Sequence, residues 1–89
     1  LPLPLSDIKS VEDKLLFYDF RADWCGPCHE MEDSSFLSRD VVRLLNSKYL
    51  CFKVTDRKRE DEKNSPAIQE LQDKFGVQGF PTIVVAMPD

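Results

Sequence analysis

Long apolar runs and an excess of positive charge are both missing from this 89-residue sequence. The longest uninterrupted apolar stretch extends only from Ile83 to Met87, whereas a transmembrane helix needs about 20 such residues. The stretch Leu1–Leu5 has no basic start and no long apolar segment, so no signal peptide is predicted in the sequence. With 16 acidic residues against 12 basic ones, nucleic acid is not expected as a partner.

Cysteine is scarce as well. Three cysteines are an odd number at low density, which excludes a small scaffold held together by disulfides. A hydrophobic content of 42% and a net charge of −4 exclude intrinsic disorder. The length leaves no room for a second core, so residues 1–89 are predicted to form a single domain.

Three segments have the composition of buried strands. They are Leu15–Phe20, Tyr49–Val54 and Thr82–Ala86, and the first has apolar residues at both odd and even positions. Helix-start signals lie between them at Gly26-Pro27, Ser38 and Ser65-Pro66, and Gly76 is a natural helix end. The alternation predicts an α/β fold with parallel crossovers, in which the last strand is either parallel or antiparallel.

Two segments are expected to lie outside this framework. Residues 1–7 contain alternating leucine and proline at their start and are predicted to be an extended lead-in. Residues 56–65 are dominated by charges of both signs and are predicted to be a solvated loop.

The pair Cys25 and Cys28 encloses Gly26 and Pro27 in a Cys-x-x-Cys motif. Residues three apart on a helix have β-carbons about 5–6 Å apart, which suits a disulfide that opens and closes without backbone movement. If Cys25 lies at the helix N-terminus, the helix dipole favours its thiolate, the nucleophile of disulfide exchange. Cys25 is then the more exposed, attacking thiol, and Cys28 is the resolving thiol one turn further in.

Three alternatives compete for this cysteine pair. A structural zinc site needs four ligands, and only Cys51 and His29 are available in addition. The string Cys25-x-x-Cys28-His29 also matches a c-type haem attachment motif, but no axial ligand is evident. In the third alternative, the pair is inert or structural.

Asp19 interrupts the first apolar strand, six positions before Cys25. If it is buried, desolvation should raise its pKa, which would suit it to exchange a proton with a thiol near neutral pH. The alternative interpretation is that Asp19 faces outward at the end of a strand. On local grounds, Pro81 is simply a strand starter, because a cis X–Pro bond is uncommon.

Taken together, these residues resemble the thioredoxin superfamily. The resemblance rests on Phe17–Cys28, which ends in Trp-Cys-Gly-Pro-Cys, and on Val77–Thr82, and it extends from about Ile8 to Ala86. Within the superfamily, residues 22–25 and 36–42 are most similar to the C-terminal thioredoxin-like domain of DsbD-type thiol:disulfide interchange proteins. The resemblance implies a three-layer α/β fold with a central mixed sheet flanked by helices.

The resemblance also implies a role for each matched residue. Cys25 becomes the attacking thiol, Cys28 the resolving thiol and Asp19 the buried carboxylate beneath it. Pro81 becomes a cis-proline opposite the disulfide, and Phe80 offers its backbone to an extended substrate segment. The list of implied substrate-binding residues is Trp24, Gly26, Pro27, Phe80 and Pro81, with Gly79 on the same surface. Gly-Pro between the cysteines is typical of reducing members.

The chain departs from the family pattern at several positions. Arg21 stands where an aromatic residue is common, which should alter the substrate surface. His29 replaces a frequent lysine and either tunes the thiols or is solvated. Phe52 or Lys53 falls where the family has a buried lysine partner for the carboxylate. Cys51 is predicted to be a buried small hydrophobe, with a regulatory thiol as the alternative.

Both ends are short relative to the family. There is too little chain before Leu15 for the family's first helix, and the last strand and C-terminal helix would follow Asp89. Either the fold is truncated at the C-terminus or the sequence omits residues. A sheet without one covering helix should leave an apolar face open.

The function that the resemblance implies is thiol:disulfide oxidoreduction by a protein disulfide reductase or interchange module. It implies no bound cofactor and no metal. Its partners would be protein thiols and disulfides, with electrons from an upstream thiol protein or membrane reductase domain, and the domain is expected to be a monomer. The DsbD-like branch favours a periplasmic or other extracytoplasmic location, while Gly-Pro also fits the cytoplasm. The alternative is a thioredoxin-like binding or chaperone module with a structural cysteine pair.

Overall fold

The computed structural model of the protein describes residues 14–88, so the predicted lead-in at residues 1–7 lies outside the described part. The elements are β1 (Leu15–Ala22), α1 (Gly26–Asp33), α2 (Arg39–Lys48), β2 (Tyr49–Asp56), α3 (Lys58–Asp61), α4 (Pro66–Phe75) and β3 (Thr82–Ala86), with one 3-10 turn at Ser35–Leu37. The predicted alternation of strands and helices is confirmed. The first two strands each extend two residues further than predicted, because the pairing of the strands continues through Arg21 with Thr55 and Ala22 with Asp56.

The strands form a mixed three-stranded sheet in the order β2-β1-β3. β2 lies parallel to β1, and α1 and α2 provide the crossover between them. β3 runs antiparallel to β1, which decides between the two alternatives for the last strand. Helices contact both faces, as the three-layer prediction requires, and β1 is buried on both sides at the centre of the sheet.

One face of the sheet packs against α2. Phe17 of β1 and Cys51 of β2 form a buried cluster with Leu45 of α2. Three half-buried side chains complete this cluster, namely Phe36, Val41 and Tyr49. Cys51 is therefore the buried small hydrophobe that was predicted, and burial raises the pKa of its thiol.

The opposite face of the sheet is covered by aromatic packing against α4. The ring of Tyr18 lies 5.3 Å from Phe52 and 5.2 Å from Phe75, measured between centroids. Phe20 lies 6.2 Å from Phe75 and is completely buried. Tilted and offset ring pairs at these distances stabilise the core beyond the area that they bury.

Helix boundaries follow the predicted capping residues. The side chains of Ser38 and Ser65 accept hydrogen bonds from Val41 and Ile68 at the starts of α2 and α4. α4 ends at Gly76, whose φ of 63° lies in the left-handed region.

The predicted loop at residues 56–65 is wrong in two respects. Asp56 is a buried strand residue, and α3 forms one helical turn within the segment. The Asp56 carboxylate accepts hydrogen bonds from the side-chain amides of Asn64 and Gln72, both at 2.8 Å, and from the backbone of Lys58 at 3.2 Å. Buried hydrogen bonds, which an apolar pattern does not reveal, anchor the segment to α4.

The outer strand β3 carries apolar side chains that are only partly covered. Ile83 and Val85 are 40% and 51% exposed, in keeping with the expected open apolar face. Within residues 14–88, no helix has both the length and the apolar character that crossing a membrane requires.

The end of α4 gives a test of the fold. An added Cβ at Gly76 meets no atom within 4 Å, so any cost of Gly76→Ala comes from its positive φ. We expect the free energy of unfolding to fall by about 1 kcal/mol, measured by urea denaturation. Gly79→Ala is the matched control, because it has equal space and no positive φ, and its stability should not fall but rise by about 0.4–1 kcal/mol. Equal losses in both variants would contradict this account.

Candidate active site

Cys25 is the N-cap of α1 and is joined to Cys28 by a disulfide bond. Their α-carbons are 5.3 Å apart, and the backbone N–H of Cys28 donates to the Cys25 sulfur at 3.2 Å. Pro27 fits this first turn because its missing N–H has no helical partner there. The helix N-terminus therefore directs N–H groups and the positive end of its dipole at Cys25, as the sequence predicted.

Cys25 was predicted to be the more exposed of the two thiols, and in this disulfide form the difference between them is marginal. Cys25 and Cys28 are 3% and 2% exposed, and they form a buried cluster with Ala22. Phe80 packs against the cluster and shields it from the side of β3. The local pattern places Cys25 on a helix end, and the contact that covers it comes from Phe80, the neighbour of the proline that the family resemblance places opposite the disulfide.

Asp19 is buried in the centre of β1, only 2% exposed. Burial, and then the nearby charge of Glu32, raise the pKa of the Asp19 carboxyl above its usual 3.8. The raised pKa that the sequence predicted is confirmed, and the outward-facing alternative is wrong. A carboxyl group with this property can hold or release a proton closer to neutral pH.

Glu32 is a site residue that the sequence reasoning missed. It lies in the last turn of α1, and its carboxylate accepts from the Arg21 Nε at 2.5 Å. The Lys53 Nζ lies 4.0 Å from Glu32 Oε1, and the His29 Nδ1 lies 3.5 Å from Oε2. Its position one turn beyond Cys28 was the available signal, because residues four apart share a helix face.

The expectation that Arg21 alters an exposed substrate surface is wrong, because Arg21 is only 3% exposed. Besides Glu32, its guanidinium donates to Asp23 at 2.7 Å and to Thr55 at 3.2 Å. These bonds satisfy a cation that would otherwise be costly to bury. Arg21 therefore ties β1 to α1 and β2 beneath the active site.

The register of the sheet settles which residue of β2 lies beside the buried carboxylate. Lys53 is the cross-strand partner of Asp19, and Phe52 lies on the opposite face against Tyr18. Lys53 lowers the pKa of Asp19 only as a minor contribution. His29 is exposed, and its Nε2 lies 2.6 Å from the Asp23 carbonyl oxygen.

The remaining predicted residues surround the disulfide. The Phe80–Pro81 peptide bond is cis, and Trp24 meets the Phe80 ring edge-on at 6.0 Å. Trp24 is 44% exposed, and Gly26 and Pro27 are also exposed. The structure thus places Phe80 against the buried cysteine pair and the half-exposed Trp24 against Phe80.

A cleft of about 360 Å³ begins beside this surface. Its walls include Trp24, Gly79 and Phe80 on one side, and Lys58 and Arg59 of α3 on the other. No group of three or more His, Cys, Asp or Glu side chains in the described range 14–88 is arranged to hold a metal ion.

A disulfide-bonded Cys-x-x-Cys pair on the first turn of a helix that follows the central strand of a mixed sheet is the arrangement of a thioredoxin-type domain. The chain belongs to the thioredoxin-like domain family, whose sequence profile matches residues 2–89. The predicted fold and superfamily are therefore confirmed.

Curated relatives agree with this assignment. Thioredoxin-1 of Drosophila melanogaster is 35% identical over 77 residues, which are 86% of this chain and 61% of the relative. The thiol:disulfide interchange protein DsbD of Photorhabdus laumondii is 36% identical over 72 residues, which are 80% of this chain and 11% of that protein. The chain thus spans 61% of the fly thioredoxin and a small part of DsbD.

Solved structures show the same two similarities. The crystal structure of the germline-specific Drosophila thioredoxin Deadhead has a TM-score of 0.62 at 31% identity, covering 94% of this chain and 69% of that one. The oxidised C-terminal domain of Neisseria meningitidis DsbD has a TM-score of 0.65 at 29% identity, covering 90% and 64%. The predicted resemblance to the DsbD C-terminal domain is confirmed.

The raised pKa of Asp19 gives a test of its burial. The folded protein holds this proton to higher pH than the unfolded chain, so stability falls as pH rises from 3.8 through the folded-state pKa. Asp19→Asn should therefore be more stable than the wild type at pH 7.5, by about 1.4 kcal/mol for each pH unit of the shift, and equal to it below pH 3. Urea denaturation of the oxidised proteins at both pH values measures this difference.

Asp33→Asn is the matched control, because this exposed carboxylate lies on α1 near the same site. Its stability should stay within about 0.5 kcal/mol of the wild type at both pH values. A wild type more stable than Asp19→Asn at pH 7.5 would show that the buried carboxylate stabilises the fold when ionised, contrary to this account.

Proposed function

We propose that this domain is a thiol:disulfide oxidoreductase that acts as a protein disulfide reductase or interchange module. The observation that carries the proposal is the Cys25–Cys28 disulfide across the first turn of α1, with the Cys25 sulfur at the N-cap. Family membership supports it, since the relatives named above include a thioredoxin and a thiol:disulfide interchange protein.

In the first step, the reduced Cys25 thiolate attacks one sulfur of a substrate disulfide. The substrate S–S bond breaks, one substrate thiolate leaves, and a mixed disulfide forms between Cys25 and the other substrate sulfur. The N-terminus of α1 favours the thiolate because unpaired N–H groups and the helix dipole stabilise negative charge there.

In the second step, Cys28 loses its proton and attacks the Cys25 sulfur. The mixed disulfide breaks, the second substrate thiolate leaves, and the Cys25–Cys28 disulfide forms, so two electrons pass to the substrate. Asp19 is proposed as the group that accepts the Cys28 proton, because its raised pKa matches proton transfer near neutral pH. Glu32 acts as a positioning residue, since its charge contributes to that raised pKa.

The substrate surface is proposed to comprise Trp24, Gly26, Pro27, Phe80 and Pro81. The exposed face of Trp24 and its contact with Phe80 support this assignment, as does the packing of Phe80 against the disulfide cluster. An extended substrate segment would pair with the backbone at Phe80, as in strand addition. A donor thiol protein or reductase domain must then reduce the pair again, and no bound cofactor takes part.

Cysteine substitutions test the proposal directly. Cys25→Ser should abolish reduction of insulin disulfides in the presence of dithiothreitol, because the attacking sulfur is gone. Cys28→Ser should accumulate mixed disulfides, because the resolving sulfur is gone, and non-reducing electrophoresis detects these adducts. Cys51→Ala is the matched control and should keep its activity, because Cys51 lies in the α2-side core. Full activity of Cys25→Ser would exclude the proposed reaction.

The pH dependence of the rate tests the proton acceptor. Asp19→Asn should slow reduction of insulin at least tenfold near pH 7, since a positioned base contributes about 10²–10⁴-fold. Glu32→Gln should shift the acid limb of the pH–rate profile to lower pH, because removing the Glu32 charge lowers the pKa of Asp19. The rate is measured from pH 5 to pH 9.

Glu30→Gln is the control for the Glu32 substitution, because it removes one carboxylate from an exposed position on the same helix. Its profile should match the wild type. An unchanged profile in Asp19→Asn would remove Asp19 from the mechanism, while leaving the roles of the two cysteines intact.

A further inference from the structure

In the charged segment at residues 56–65, which contains α3, some charged side chains form ion pairs and others do not. Arg57 forms ion pairs with Asp61 at 3.0 Å and with Glu60 and Asp23 at 3.4 Å each. The two acidic residues of the segment that form ion pairs, Glu60 and Asp61, therefore both pair with the same cation, Arg57. The next two cations, Lys58 and Arg59, make no ion pair with any carboxylate in the part of the chain that the structure describes.

Arg59 is positioned over the active-site tryptophan. Its guanidinium carbon lies 3.9 Å from the centroid of the Trp24 ring, within the range of a cation–π interaction. The same ring packs edge-on against Phe80. Trp24 therefore contacts both Phe80, which covers the disulfide, and Arg59, a cation that has no role in the proposed thiol reactions.

Lys58 and Arg59 line the cleft of about 360 Å³ together with Trp24, Gly79 and Phe80. The cleft also contains one carboxylate, that of Asp56, which is 4% exposed. Its oxygens already accept hydrogen bonds from Asn64, Gln72 and the Lys58 backbone. Two cations against this one buried carboxylate leave the lining of the cleft with a net positive charge.

We propose that this cleft selects substrate proteins that carry an acidic side chain close to the target cysteine, with Lys58 and Arg59 binding the carboxylate. The inference rests on the proposed function, since it defines the substrate class of the same dithiol. A cationic cleft is unexpected for a chain of net charge −4, so attraction of an acidic segment would come from these two side chains and not from the overall charge.

The test uses three synthetic peptides with one intramolecular disulfide each. They are identical except for Glu, Gln or Lys at the positions on either side of the target cysteine. We expect the reduced wild-type domain to have a kcat/KM roughly fivefold higher for the Glu peptide than for the Lys peptide, as for exposed ion pairs. The preference should shrink in 0.5 M NaCl because salt screens exposed charges.

The double variant Lys58→Gln with Arg59→Gln should lose this preference, so that its kcat/KM values for the Glu and Lys peptides become equal. Lys63→Gln is the matched control, because Lys63 belongs to the same charged segment, does not line the cleft and loses the same charge. It should keep the preference.

Equal kcat/KM values of the wild type for the Glu and Lys peptides would overturn this inference but leave the proposed function standing. This outcome needs no variant. A preference that persists in the double variant would overturn it as well. If the wild type reduces none of the three peptides, the proposed function is overturned, and this inference with it.

Discussion

The start of α1 at Cys25 is the constraint on which the remaining site depends. Because Cys25 is the N-cap, Cys28 follows one turn later on the same face, within reach of a disulfide. The same geometry aims the helix N–H groups at the Cys25 sulfur. β1 fixes the helix start, since the Cys25 N–H donates to the Ala22 carbonyl at the end of that strand. The central strand and the reactive sulfur are thus separated by a single turn.

Two buried aspartates show how the surroundings of a carboxylate determine its role. Burial raises the pKa of Asp19, and the negative charge of Glu32 raises it further. Burial acts on Asp56 in the same direction, but hydrogen bonds from Gln72, Asn64 and Lys58 outweigh it and lower the pKa. Asp19 is therefore suited to proton transfer, whereas Asp56 stays ionised and holds the charged segment in place.

Much of the fold could be predicted from the sequence because local signals agree with tertiary packing. The caps Ser38 and Ser65 and the stop at Gly76 lie where they were predicted, as do the bounds of β3. The burial of Asp19 followed from its apolar neighbours. The burial of Cys25 does not follow from local signals, because Phe80 shields it across a large sequence separation.

Three residues that the sequence reasoning misplaced or missed are charged, namely Arg21, Glu32 and Asp56. Apolar periodicity gives no sign of their partners, because it assigns charged residues to the surface. Each lies instead in a network of charge-assisted hydrogen bonds beneath the cleft or the thiols. Only the three-dimensional placement of donors reveals these networks, and buried polar groups of this kind concentrate where a protein departs from simple packing rules. The sequence reasoning therefore failed where charged side chains, and not apolar ones, hold the elements of the domain together beneath the thiols and the cleft.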